Sequence, residues 1–189
     1  MNSSNPIRFR RMVVVTLSIA AMVFFANARP AAAQNCTPSN TKTANVVALD
    51  QPFFWNRLGA VQPQGMIFAL KGDVINKSGN PNDPLTAGNV MLKETKRPRP
   101  LVLRMNVGDC LTINFTNLLN PVKVDEEQPA TRYASVRALG MQLVGNINRD
   151  GSFVGQNPSS LVAPSGIFNY TLYAEREGPH MMYSAGTTT

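Results

Sequence analysis

The chain of 189 residues has one histidine, two cysteines and one tryptophan, and only 15% of its residues are charged. Each scarcity removes a class of function. With His180 as the only imidazole, no site needing two or more imidazoles can be built from this chain alone. That excludes the blue-copper set of two His and one Cys thiolate, and the multi-imidazole cages in which copper activates oxygen. The low charge, set beside a hydrophobic fraction of 43%, excludes wholesale disorder. Sustained heptads are absent and the chain carries 14 Pro and 13 Gly, which excludes a coiled coil. The formal charge of +7 overstates the basic character, because four of the 18 cations (Arg8, Arg10, Arg11 and Arg29) lie in the first 33 residues. From Gln34 onward 14 basic residues face 11 acidic ones, which is not the footprint of a nucleic-acid binder.

What is present begins with a leader pattern. Arg8, Arg10 and Arg11 precede the uncharged run MVVVTLSIAAMVFFA at 12–26, and small residues follow, ending in Ala31-Ala32-Ala33. An Ala at −3 and at −1 suits signal peptidase, so residues 1–33 read as a signal peptide cleaved after Ala33. The apolar run is shorter than the roughly 20 residues of a membrane span, so no stable anchor is expected after cleavage. The expected location is periplasmic or extracellular, and the remaining domain is 34–189. Export gives Cys36 and Cys110 an oxidising environment. Two readings stay open: a disulfide between them, or an inert buried thiol at Cys110. A disulfide would close a loop of about 75 residues, worth ~4 kcal/mol in the chain-entropy model.

The rest reads as short strands with turn chemistry between them. ANVVAL at 44–49 and GMIFAL at 65–70 are expected strands, with the aromatic cluster Phe53, Phe54 and Trp55 between them. Residues 71–100 are polar and rich in Pro, Gly and Asn, and read as a long loop away from the core. LVLRMN at 101–106 and CLTINFT at 110–116 both alternate with period two, and Val107-Gly108-Asp109 joins them as an expected hairpin. Further strands are expected at 132–137, 141–144 and 168–174, with a last one starting at Met181. From Gln34 onward no stretch of ten or more residues has helical periodicity. The fold class expected is all-β, an antiparallel sandwich.

Three passages in order resemble the first, plastocyanin-like domain of multicopper oxidases. PLVLRMNVGDCLTINFTNLL at 100–119 is similar to the family's Gly-Asp turn leading into a strand that ends in Asn and Leu. ASVRALGMQL at 134–143 stands where the family has a Ser-aliphatic-His-aromatic-His-Gly strand. APSGIFNYTLYAEREGPHMMYSA at 163–185 stands where it has a Pro-Gly turn, a Tyr-rich strand and a second pair of spaced histidines. The resemblance implies a cupredoxin-like Greek-key β-sandwich, with copper as the cofactor of the parent family. It does not carry the copper ligands across. The first His-x-His pair falls on Arg137 and Leu139, and the second on Tyr183 and Ala185. All four imidazoles are missing. No catalytic, cofactor-binding or metal-binding residue is therefore assigned in this chain.

The resemblance also implies that the final strands of the sandwich are missing after Thr189. The chain then reads as an exported, copper-free structural part or remnant of a multicopper-oxidase-like protein. Its expected partners are following domains of a parent chain or a partner subunit. Two other readings are an N-terminal part of a copper-dependent oxidase with its ligands beyond residue 189, and a secreted binding or adhesion module. His180 with Met181, Met182, Met141 and Met105 offers soft copper(I) donors, against the plainer reading of core-filling methionines. NINRDGS at 146–152 opens like a calcium loop but lacks its closing carboxylate, and a polar turn is the plainer reading. Glu175 and Glu177 read as a solvated strand end, and Lys93, Lys96, Arg97 and Arg99 as a solvated surface.

Overall fold

In a computed structural model of the chain, the described residues are 36–122 and 131–186. The expected signal peptide at 1–33 lies outside them. The all-β expectation holds: the described residues form strands and two short 3-10 turns, with no α-helix among them. The strands are β1 (Thr41–Asp50), β2 (Phe53–Phe54), β3 (Val61–Gln62), β4 (Met66–Leu70), β5 (Val74–Asn76) and β6 (Val90–Leu92). They continue with β7 (Cys110–Asn117), β8 (Arg137–Ala138), β9 (Gln142–Leu143), β10 (Ile167–Tyr173) and β11 (Met182–Tyr183).

One five-stranded sheet, in the order β4-β1-β7-β10-β9, supplies the frame. Its centre is β7, where the period-two pattern sends Leu111, Ile113 and Phe115 into the core. Thr112, Asn114 and Thr116 face the other way, and Asn114 donates across to Asn45 Oδ1 at 2.9 Å. β1 behaves differently because both its faces are covered. Val46 and Ala48 join the main core, whereas Val47 and Leu49 enter a second cluster with Ala69, Val74, Val90 and Leu118. That accounts for the unbroken buried run from Val46 to Leu49. In the main core Phe115 meets Phe68 edge-on, with ring centroids 5.9 Å apart, and Tyr170 at 6.1 Å.

Three expectations need correction. The sandwich is not purely antiparallel: β1 runs parallel to β7, with Thr41 opposite Cys110 and Ala48 opposite Asn117. A parallel pair requires a long crossover, and residues 51–109 provide it. Part of that crossover is the stretch 71–100 read as a loop, which in fact contains the antiparallel ribbon of β5 and β6. Val74 and Val90 from this ribbon seal the second cluster. The polar residues between them are held by their own bonds, since Asn76 Nδ2 donates to Pro84 O at 2.8 Å and Ser78 Oγ to Asp83 at 2.6 Å.

The expected hairpin of 101–106 with β7 does not form either. Both edges of β7 are taken by β1 and β10, so 101–106 crosses to the other side of the main core. The turn between them ties instead to the end of β10. Gly108, at φ +87°, donates to Ala174 O at 2.8 Å, and Ala174 donates to Asp109 O at 3.0 Å. Leu101, Leu103 and Met105 pack on the main core with Ala134, Val136, Val162, Ala138 and Met182, making the second layer of the sandwich. A separate short hairpin, β2 with β3, carries Phe54, Trp55 and Leu58 exposed at its end.

Candidate functional site

The four positions that the sequence resemblance aligns with copper-binding histidines lie on or next to one ribbon. β8 and β11 pair antiparallel, with Arg137 opposite Tyr183 and Ala138 opposite Met182. Leu139 extends the pairing by donating to Met181 O at 2.9 Å. At the other end two serines take over from the ladder. The Ser135 amide donates to Ser184 Oγ at 3.1 Å, and the Ala185 amide donates to Ser135 Oγ at 3.0 Å. Ser135 is fully buried, so this exchange satisfies a hydroxyl that would otherwise be costly to desolvate.

The donors on the ribbon do not fit copper. Arg137, Leu139, Tyr183 and Ala185 offer a guanidinium, an alkyl group, a phenol and a methyl in place of four imidazoles. The Arg137 guanidinium has no lone pair to give and repels a cation. Cys36 and Cys110 are joined in a disulfide, with Cα atoms 5.7 Å apart, and are not available as thiolates. Among the described residues no three His, Cys, Asp or Glu side chains come together.

His180 is held by backbone. Its Nδ1 lies 3.0 Å from Leu139 O and its Nε2 3.1 Å from Arg176 O, so both ring nitrogens are directed at carbonyls. The ring lies close over Gly140, where a Cβ would come within 2.8 Å of Nδ1. Glycine at this position, with φ +80°, therefore serves both the turn and the contact. Met105, Met141 and Met182 pack against the main core, and Met181 is exposed. In this grouping His180 faces two carbonyls, three of the methionines are partly buried against the core, and Met181 is exposed.

The calcium-like opening at 146–152 forms a turn. Asn146 Oδ1 accepts from the Asn148 amide at 3.1 Å. Asp150 accepts from the Ser152 amide at 2.9 Å and the Ser152 hydroxyl at 2.6 Å, and Arg137 approaches it at 3.6 Å. Burial opposes the Asp150 charge, but the two bonds from Ser152, the Ser160 hydroxyl and Arg137 outweigh it and hold the carboxyl below its ordinary range. Because the native value lies below the unfolded one, the contribution is complete above about pH 4 and is lost as pH falls through the native value. Asp150→Asn should therefore flatten the loss of stability in that acid window and leave the slope near neutrality unchanged. Urea midpoints measured against pH for both chains check this; parallel curves would refute it.

Nearby, Tyr170 is fully buried and donates to Ser160 O at 2.7 Å, and burial pushes its phenol pKa up. Lys96 pairs with Asp73 at 2.9 Å, and Glu175 and Glu177 are exposed beyond the end of β10.

Two polar centres were not singled out from the sequence. Asn117, fully buried at the end of β7, donates to Arg132 O at 2.8 Å and Val162 O at 2.7 Å, and accepts from the Leu119 amide at 3.1 Å. Arg132 is buried and pairs with Asp50, which also accepts from the Asn120 amide at 2.7 Å. The only available signal was the Asn at the end of the strand, and it did not reveal three bonds to distant segments.

No protein-family model matches the sequence, and no curated protein matches it. Among solved structures, the chain is similar to a multi-copper oxidase from Pseudomonas thermotolerans, at a TM-score of 0.45 and 17% identity. The match covers 80% of this chain and 26% of that one, so this chain spans about a quarter of that protein's length.

Proposed function

We propose that this chain is an exported, copper-free cupredoxin-like domain whose role is structural, packing against a further β-domain or a partner subunit. The observation that carries the reading is the β8–β11 ribbon. Arg137 and Tyr183 pair on it and Leu139 and Ala185 lie beside it, and these are the four residues that the sequence resemblance aligns with the copper-binding histidines of a multicopper-oxidase first domain. The order of the three sequence passages supports the family resemblance, and the positive, apolar and small-residue regions of 1–33 support export. Copper chemistry in a larger parent protein would have to use ligands supplied elsewhere. The test is elemental analysis of the purified chain after exposure to copper and dialysis against a chelator. No stoichiometric copper is expected. Copper retained at one equivalent or more would overturn the reading.

A further inference from the structure

We propose that the β2–β3 hairpin is a lipid-contact element, whose tip enters the headgroup layer of an anionic bilayer reversibly. This surface is separate from the packing role above. The first observation is where the hairpin keeps its apolar side chains. Phe54 is 79% exposed, Trp55 68% and Leu58, in the turn, 94%. Phe54 lies opposite Val61, itself 42% exposed, on one face of the hairpin. Successive strand residues alternate in direction, so Phe53 and Trp55 share the other face, where their rings stack at 5.5 Å. Apolar groups thus occupy both faces and the end of one protrusion. A protein partner with a flat surface covers one face of such a hairpin. A fluid lipid layer surrounds it, and Trp favours that layer.

The second observation is that the turn has its backbone satisfied in advance. The Trp55 amide donates to Ala60 O at 2.8 Å. Asn56 Oδ1 accepts from the Leu58 amide at 2.9 Å and from the Ala60 amide at 3.2 Å. Unpartnered amides would oppose entry into a water-poor layer, and these three already have acceptors.

Charge selects the lipid. Arg57 is the only charged side chain from Gln51 to Leu70, and it has no ion pair among the described residues. A free guanidinium at the end of an acid-free hairpin is complementary to an anionic surface. A second copy meeting it tip to tip would set Arg57 against Arg57. A few apolar side chains give reversible association and not an anchor.

Trp55 is the only tryptophan of the chain, so its fluorescence reports the hairpin alone. The test titrates the purified full chain with phosphatidylcholine vesicles, with and without phosphatidylglycerol, and with vesicles whose acyl chains are brominated. Trp55 emission should shift to the blue, and brominated lipid should quench it. Phosphatidylglycerol should tighten the quenching titration about fivefold, and Arg57→Gln should remove that difference. Leu58 is almost fully exposed, so Leu58→Glu should keep the urea midpoint and weaken the titration about tenfold or more. No shift at saturating lipid would leave the hairpin to a protein partner and overturn the proposal. Sedimentation with vesicles while Trp55 stays unquenched would do the same, by assigning the contact to another part of the chain such as 1–33. A blue shift that follows the chain's own concentration without lipid would also overturn it, by assigning the hairpin to a second copy.

Discussion

Asn117→Leu should destabilise the protein by roughly 3–5 kcal/mol, although it replaces a polar core residue with an apolar one of similar size. The three bonds of Asn117 join the end of β7 to Arg132 and Val162, which belong to the second layer, and to the chain leaving the strand at Leu119. Val162 O retains a second donor in the Ala134 amide, at 3.0 Å. Arg132 O and the Leu119 amide have no other partner among the described residues. The substitution therefore strands one buried acceptor and one buried donor, each costing about 1–3 kcal/mol, beyond the loss of the bonds themselves. Asn117→Asp separates the two roles of the side chain. It keeps an acceptor for Leu119 but faces two carbonyls with a carboxylate, so it should cost at least as much as Leu. Urea denaturation of both variants, with Thr112→Ala on the outer face of the same strand as a near-neutral control, measures the difference. A loss for Asn117→Leu no larger than the control would show that the layers are held without this link.

The parts of the fold that were legible share one property: their environment repeats at short range. In β7 and β10 one face is buried and the other is not, so alternation is written directly into CLTINFT and FNYTLY. The parts that were not legible depend on distant partners. The ribbon of β5 and β6 is carried by single valines, Val74 and Val90, separated by polar residues that bond among themselves, so no periodicity marks it. The parallel pairing of β1 with β7 is likewise invisible in either segment alone. Residues 101–106 show the converse case. Their alternation is real and their side-chain anchoring follows it, but alternation reports which side is buried and not whether the backbone has a partner.

The candidate site divides along the same line. That Arg137, Leu139, Tyr183 and Ala185 stand at related positions could be read from motif order, and the pairing of β8 with β11 puts Arg137 opposite Tyr183. What the motif could not show is how Arg137 is engaged: its guanidinium leans toward Asp150, whose other contacts are to Ser152 and Ser160. An acid that looks like a calcium ligand in sequence is, in three dimensions, already surrounded by donors. His180 gives the same lesson, since a lone imidazole among methionines invites a metal reading until both its nitrogens are found against carbonyls.

Removal of the Cys36–Cys110 bond, by reduction or by Cys36→Ala, should cost ~4 kcal/mol. The bond joins residues separated by 74 in sequence, and in the chain-entropy model a loop of that length is a severe restriction on the unfolded chain. Its position suggests a kinetic signature. Cys110 is the first residue of β7 and donates its amide to Asn40 O at 2.8 Å, next to the start of the parallel ladder with β1. Closing the long crossover is the slow, entropically opposed step for a parallel pair, and the disulfide makes that closure in advance. Without it the native ladder from Thr41 to Ala48 remains intact, so the unfolding rate should change little and the loss should fall on the folding rate. Cys36→Ala is the better variant, because Cys110 is fully buried and is left unaltered. Chevron measurements on the oxidised chain and on Cys36→Ala distinguish the two limbs. An unfolding limb that rises while the folding limb stays put would mean that the bond restrains the folded protein, and the account of β1 and β7 closing across a long loop would fail.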